Sequence, residues 1–155
     1  MSGHGVHHVV YATRDVEATR HFYEDLMGFP LSHAEVQEHG EARVRHLFFD
    51  CGAGASMAFF EVRNVGERED YATDVSESVG LPFWVNHCAF RADEAQQETV
   101  KQRMADEGIL PAMDVDHGWC HSVYFMDPNG IMVELCRDTP GFEADRDAAV
   151  ELLQD

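Results

Sequence analysis

The run His117-Gly118-Trp119-Cys120-His121-Ser122-Val123-Tyr124-Phe125-Met126-Asp127-Pro128-Asn129-Gly130-Ile131-Met132-Val133-Glu134-Leu135-Cys136 reads as strand, tight turn, strand. Val123, Tyr124 and Phe125 suit a pleated, half-buried surface, which places a strand at Ser122 to Met126. In the turn, Pro128 pre-sets φ, Asn129 tolerates the bend and Gly130 can take positive φ. A second strand resumes from Ile131 to Cys136. Its alternation puts Met132, Glu134 and Cys136 on one face and Val133 and Leu135 on the other. The first strand sets Tyr124 on a face with Cys120 and Ser122. Hairpin pairing then brings Tyr124 beside the strand that carries Glu134. A carboxylate in an apolar run is costly on an enclosed face unless something positive meets it, and ordinary on a solvent face. The hairpin alone leaves both readings of Glu134 open.

Working outward, the chain of 155 residues is long enough for one domain with a real core, and its hydrophobic share of 45% argues for a globular chain. With 29 acidic against 11 basic residues, the formal charge is −18, and Lys101 is the only lysine. Such a field repels nucleic acid and anionic membranes, so neither is expected as a main partner. No apolar run approaches the roughly 18 residues of a membrane span, and the N-terminus lacks the apolar stretch of a signal peptide. Cys51, Cys88, Cys120 and Cys136 show no C-x-x-C spacing and sit in or beside strands. They read as reduced, mostly buried cysteines, and the expected location is cytoplasmic.

The first half reads β-α-β-β-β. Val6 to Thr13 is a strand, and Asp15 caps a helix in which Val16, Thr19, Phe22, Tyr23, Leu26 and Met27 recur at helical spacing before Gly28 closes it. Strands at Leu31 to Glu38, Arg43 to Cys51 and Met57 to Val62 follow. After a polar linker from Asn64 to Leu81, the second half repeats the order. It has a strand at Phe83 to Arg91, a helix capped by Asp93 with Gln96 at the capping-box position, and strands at Leu110 to Val115 and along the hairpin. Setting His8 over His87 aligns cap with cap and, within one residue, Gly28 with Gly108. Glu61 then falls opposite Glu134. The expected fold class is α+β, with two tandem βαβββ modules (about 5–63 and 82–137). The modules make a single domain over 1–140, and a tail at 141–155 forms a short packing helix through Phe142, Val150, Leu152 and Leu153.

His8, His87, Glu61 and Glu134 thus occupy matched places in a duplicated unit. One strand histidine is more often a satisfied core residue than a ligand, but two histidines with two carboxylates at equivalent positions suit Fe, Mn, Ni, Co or Zn. Two His with one Glu is the facial set of non-haem Fe(II) enzymes, and a bound metal also removes the burial cost of Glu134. By alternation His7 and His121 face away, and His4, His21, His33 and His39 read as surface residues. His117, beside the hairpin, stays a candidate.

These features resemble the vicinal oxygen chelate superfamily, the glyoxalase/bleomycin resistance/dioxygenase group. His8-Val9-Val10-Tyr11-Ala12-Thr13-Arg14-Asp15 with Phe22-Tyr23 and Gly28-Phe29 is similar to its opening signature, and Tyr124 to Gly130 with Glu134-Leu135 to its closing one. The run from Asp116 to Tyr124 resembles the segment before the closing hairpin of catechol-type extradiol dioxygenases, where a tyrosine ten residues before the ligand glutamate helps bind the substrate. Tyr124 stands ten before Glu134. The resemblance implies Fe(II) on His8, His87 and Glu134, with Tyr124 orienting a small catechol-type molecule. The acid/base histidine falls out of register, so His117 serves only if its loop shifts. Glu61 implies an alternative, a glyoxalase I-like lyase, isomerase or thiol transferase using Ni, Zn or Mn, with Glu61 as a ligand or base. A third reading is a metal-free drug-binding module of the bleomycin-resistance kind. The superfamily also implies a curved mixed sheet around a metal-binding cup and a homodimer as the expected assembly, with the site either within one chain or between halves of two chains.

Overall fold

The computed structural model describes residues 5–153; His4 lies outside them. The order is β1 (His8–Ala12), α1 (Val16–Arg20) continued by a π-helical turn (His21–Leu26), β2 (Leu31–His39), β3 (Ala42–Asp50), β4 (Ser56–Arg63), β5 (His87–Arg91), α2 (Glu94–Asp106), β6 (Met113–Asp116), β7 (Cys120–Met126), β8 (Met132–Asp138) and α3 (Arg146–Glu151). The strands form two four-stranded sheets ordered β1-β4-β3-β2 and β5-β8-β7-β6. In each, the first and last strands pair in parallel and the other neighbours are antiparallel. The chain is therefore α+β, with two tandem βαβββ modules that keep separate sheets.

Helices α1 and α2 start where the sequence supplies a cap. Asp15 accepts the Ala18 N–H at 2.9 Å, and Asp93 with Gln96 closes a reciprocal capping box before α2. The first helix does not continue as a regular α-helix. It widens after Arg20, and the Met27 N–H reaches back to the Phe22 carbonyl.

Alternation along the closing strands decides what each sheet face does. Met57 and Phe59 of β4 and Val133 and Leu135 of β8 join a core with Phe22, Tyr23, Leu26, Val100 and Met104 from the helices. Tyr23 packs on Phe59 and Phe49 with ring centres 4.9 and 5.5 Å apart, all three fully buried. Each such ring contributes about 1.5–3 kcal/mol on burial. That core fixes the registers and leaves Ser56, Ala58 and Phe60, and Met132, Glu134 and Cys136, on the faces turned away from the helices.

The modules are tied through the turn before β8. Buried Asp127 accepts the Tyr23 hydroxyl at 2.9 Å and the backbone N–H groups of Asn129 and Ile131 at 2.8 Å each. The Asn129 amide donates to Thr19 Oγ1 at 3.1 Å. Burial pushes the Asp127 carboxyl up, and these donors pull against it. Gly130 takes φ +79°, and a Cβ there would stand 2.9 Å from that of Asp74, so both backbone conformation and the linker's approach demand glycine. The linker is held down, with Tyr71 donating to the Thr13 carbonyl at 2.8 Å and Ser76 buried.

Three expected elements differ. Phe83 to Asn86 is not strand: the Val85 N–H turns back to the Pro82 carbonyl, so β5 begins only at His87. Likewise, β6 begins at Met113 rather than Leu110. In the tail, α3 forms but does not pack, since Val150, Leu152 and Leu153 are 37%, 87% and 83% exposed. Among the described residues, no helix is long and apolar enough to cross a membrane.

Candidate metal centre

Glu134 is buried on the face of β8 turned away from the helices. Oε1 accepts the Ser122 hydroxyl at 2.5 Å, and Oε2 lies 3.0 Å from His87 Nε2. Parallel pairing makes this meeting possible, because His87 stands opposite Met132 and Ala89 opposite Glu134 on one shared face.

The second nitrogen of His87 determines what that contact means. Nδ1 lies 3.0 Å from the Trp84 carbonyl, which can only accept, so Nδ1 carries the proton. In the neutral ring Nε2 then presents a lone pair to Glu134 Oε2. Two acceptors at that distance repel unless a proton or a cation joins them. A backbone carbonyl fixing the far nitrogen, with the near one turned to a carboxylate, is the setting in which imidazole ligates a metal. His87 and Glu134 therefore fit an N/O-binding ion.

Tyr124 lies directly across from Glu134 in the β7–β8 ladder. It is buried, its ring meets that of His87 edge-on at 5.9 Å, and its hydroxyl lies 3.1 Å from His117 Nε2. Burial raises the Tyr124 phenol above its ordinary range, a hydrogen bond with Ser122 opposes this, and the Glu134 charge adds to it. His117 reaches the phenol from the loop between β6 and β7, without any rearrangement of that loop.

His8 and Glu61 stand apart. The His8 ring has His7, His46 and Phe48 beside it, and among the described residues it does not join His87 and Glu134 in a cluster of donors within 4.8 Å. Glu61 faces the helix side with Met57 and Phe59, where its carboxylate meets Arg63 at 3.0 Å and Arg45 at 3.4 Å. The registers explain why. Asp50 pairs with Ser56 as Met126 pairs with Met132, so Phe48–Ala58 is the counterpart of Tyr124–Glu134, and Glu61 that of Arg137. An alignment that sets Glu61 opposite Glu134 is displaced by three residues. Ala58 holds the matching place, and it has no donor to offer.

Sequence reasoning passed over Ser122, although the alternation that singles out Tyr124 also puts Ser122 on the Glu134 face. It also passed over His46, which is buried and stacks on Phe60 at 3.8 Å, with Nε2 unpartnered among the described residues. Burial holds the His46 imidazole below its usual range. A cleft of about 530 Å³ between Gly28–Pro30, Cys51 and α2 is on the helix side, where Leu135 lines it, and is not part of this centre.

Paired βαβββ modules, each with a four-stranded sheet ordered first-last-third-second, define a class of small α+β domains. The chain belongs to the glyoxalase/bleomycin resistance protein/dioxygenase superfamily, whose family model matches residues 5–135. It is 30% identical over 131 residues to the "Putative ring-cleaving dioxygenase MhqA" of Bacillus subtilis (strain 168), covering 83% of this chain and 38% of that protein. This chain thus spans well under half the length of that relative. Two solved structures share the fold. The glyoxylase/bleomycin resistance protein/dioxygenase domain from Frankia sp. EAN1pec gives a TM-score of 0.66 at 17% identity, covering 91% of this chain and 96% of that one. The fosfomycin resistance protein FosX of Listeria monocytogenes gives 0.58 at 19%, covering 88% and 95%.

Proposed function

We propose that the protein is a ring-cleaving dioxygenase that uses Fe(II) and acts on a small aromatic diol. The observation that carries the reading is the Glu134–His87 pair, with Oε2 and Nε2 3.0 Å apart where a proton or a cation would join them, and the Tyr124 phenol directly across the ladder. Similarity to a relative described as a ring-cleaving dioxygenase supports it. The glyoxalase I-like alternative draws no support from Glu61, which is engaged by Arg45 and Arg63 on the other face.

On this reading His87 and Glu134 would hold the ion, and iron, when bound, would supply the redox path between a ring diol and molecular oxygen. Ser122 fixes the carboxylate through Oε1, which would leave Oε2 available to the ion. Tyr124 donates its phenolic hydrogen to a substrate oxygen as charge grows there. His117, against the same hydroxyl, takes or returns the proton at Nε2. The third ligand is His8 from a second copy of the chain, so the working unit is a homodimer. Exposed His8 on β1 and exposed His87 on β5 leave both strands free to face a partner.

Metal analysis of protein purified without oxygen tests the reading, with Glu134→Ala alongside. Iron in the wild type and none in the variant is the expected result. Full occupancy in Glu134→Ala sinks the ligand assignment, and iron-loaded wild type inert across a panel of ring diols under oxygen sinks the activity.

A further inference from the structure

Beside Glu134, on the same face of the β7–β8 hairpin, two thiols converge. Cys120 pairs with Asp138 and Cys136 with Ser122, so the two cysteines lie diagonally across adjacent strands. Their sulfurs and a Glu134 carboxylate oxygen all lie within 4.8 Å of one another, and both thiols are free. Cys120 is fully buried and Cys136 partly exposed, so an ion reaches the pair from the Cys136 side. Ser122 Oγ, 3.6 Å from Cys120 Sγ, already links that thiol to Glu134.

We propose that Cys120, Cys136 and Glu134 form a site for a soft divalent cation of the zinc and cadmium class. Thiolate sulfur selects such ions over the hard cations that carboxylates and water hold, whereas His87 with Glu134 offers only nitrogen and oxygen. With zinc–sulfur bonds of about 2.3 Å, the edges of a tetrahedral site run to about 3.8 Å, so the donors need draw together by about 1 Å at most. Two thiolates and a carboxylate overbalance a dication, and a chain of net charge −18 concentrates cations around it. The cysteines are brought together by strand register and not by a C-x-x-C run, which is why their spacing carries no metal signature. Glu134 is common to both donor sets. A soft ion here therefore shares the Glu134 carboxylate with the iron centre, a consequence that rests on the function proposed above, while the site itself does not.

The test is a cadmium titration of the full-length, metal-free, reduced protein without oxygen, following the ultraviolet sulfur-to-cadmium charge-transfer band. The band is expected to saturate at a single equivalent, to persist in Cys51→Ser/Cys88→Ser and in His87→Ala, and to vanish in Cys120→Ala/Cys136→Ala. Cys136→Ser alone, at a partly exposed position where folding is least at risk, should halve the band and weaken binding. Wild type without the band, or a Cys120→Ala/Cys136→Ala protein that keeps it, overturns the site. A band that follows these two cysteines in a protein that never holds iron leaves the site standing and removes only the proposed function.

Discussion

Tyr124 and Glu134 stand directly opposite each other across β7 and β8, and the first module puts Phe48 opposite Ala58 in the same place. Two modules of one topology therefore carry the polar pair once. The duplicated frame supplies the scaffold, and the second copy carries the candidate polar cluster.

That pairing makes Tyr124→Phe the most discriminating substitution. The ring keeps its contact with His87 and its place in the core, so fold and metal content should be unchanged. Only the hydroxyl is lost, together with its contact to His117. Removing one preorganised donor typically costs about 10²–10³ in turnover. Steady-state oxygen uptake on a reactive diol measures this, and a variant as active as wild type rules out the assigned role.

Complementation between inactive variants tests the shared centre. His8→Ala and Glu134→Ala should each fail to hold iron on their own. If His8 acts from a second copy, mixed dimers contain one intact set, and co-refolded protein should regain iron and turnover. No recovery in verified mixed dimers would mean that His8 reaches the centre within its own chain or not at all.

Asp127 should matter to stability more than to catalysis. Its carboxylate gathers Tyr23, Asn129 and Ile131 in a buried place where the modules meet. Hydrogen bonds to a charged group are worth about 1.5–3 kcal/mol, and truncation strands buried donors. Asp127→Ala should therefore lose roughly 3 kcal/mol or more in urea unfolding. A loss under about 1 kcal/mol would show that the knot is dispensable.

Much of this was readable in the chain because its signals are local. Asp127-Pro128-Asn129-Gly130 marks a turn, alternation on either side of it puts Tyr124 and Glu134 on neighbouring strands, and Asp15 and Asp93 announce their helices. The failures come from register and distance. Glu61 and Glu134 both end apolar runs, but the faces follow from counting back from each turn, and that count selects Ala58. The gathering of Tyr23, Thr19, Asp127 and Asn129 spans more than 100 residues and leaves no periodic trace. Ser122 and the cysteine pair were within reach of the same alternation, read one step further along the face.

His21 supplies a pH test independent of the metal. Its ring bonds Asp25 through Nδ1 and Glu107 through Nε2, at 2.8 Å each, fastening the first helix to the end of α2. The hydrogen bond to Glu107, followed by that to Asp25, raises its pKa above the ordinary value of 6.5. The raised value fixes the sign. Folding favours the protonated ring, so the stabilisation is fully present below pH 6.5 and is lost as pH rises through the higher folded-state value. The site is exposed, so the effect is small and screened by salt. His21→Gln should thus be less stable than wild type in acid and converge with it in alkali, as read by urea midpoints across the pH range. A difference that grows with pH would contradict the ion-pair account of this contact.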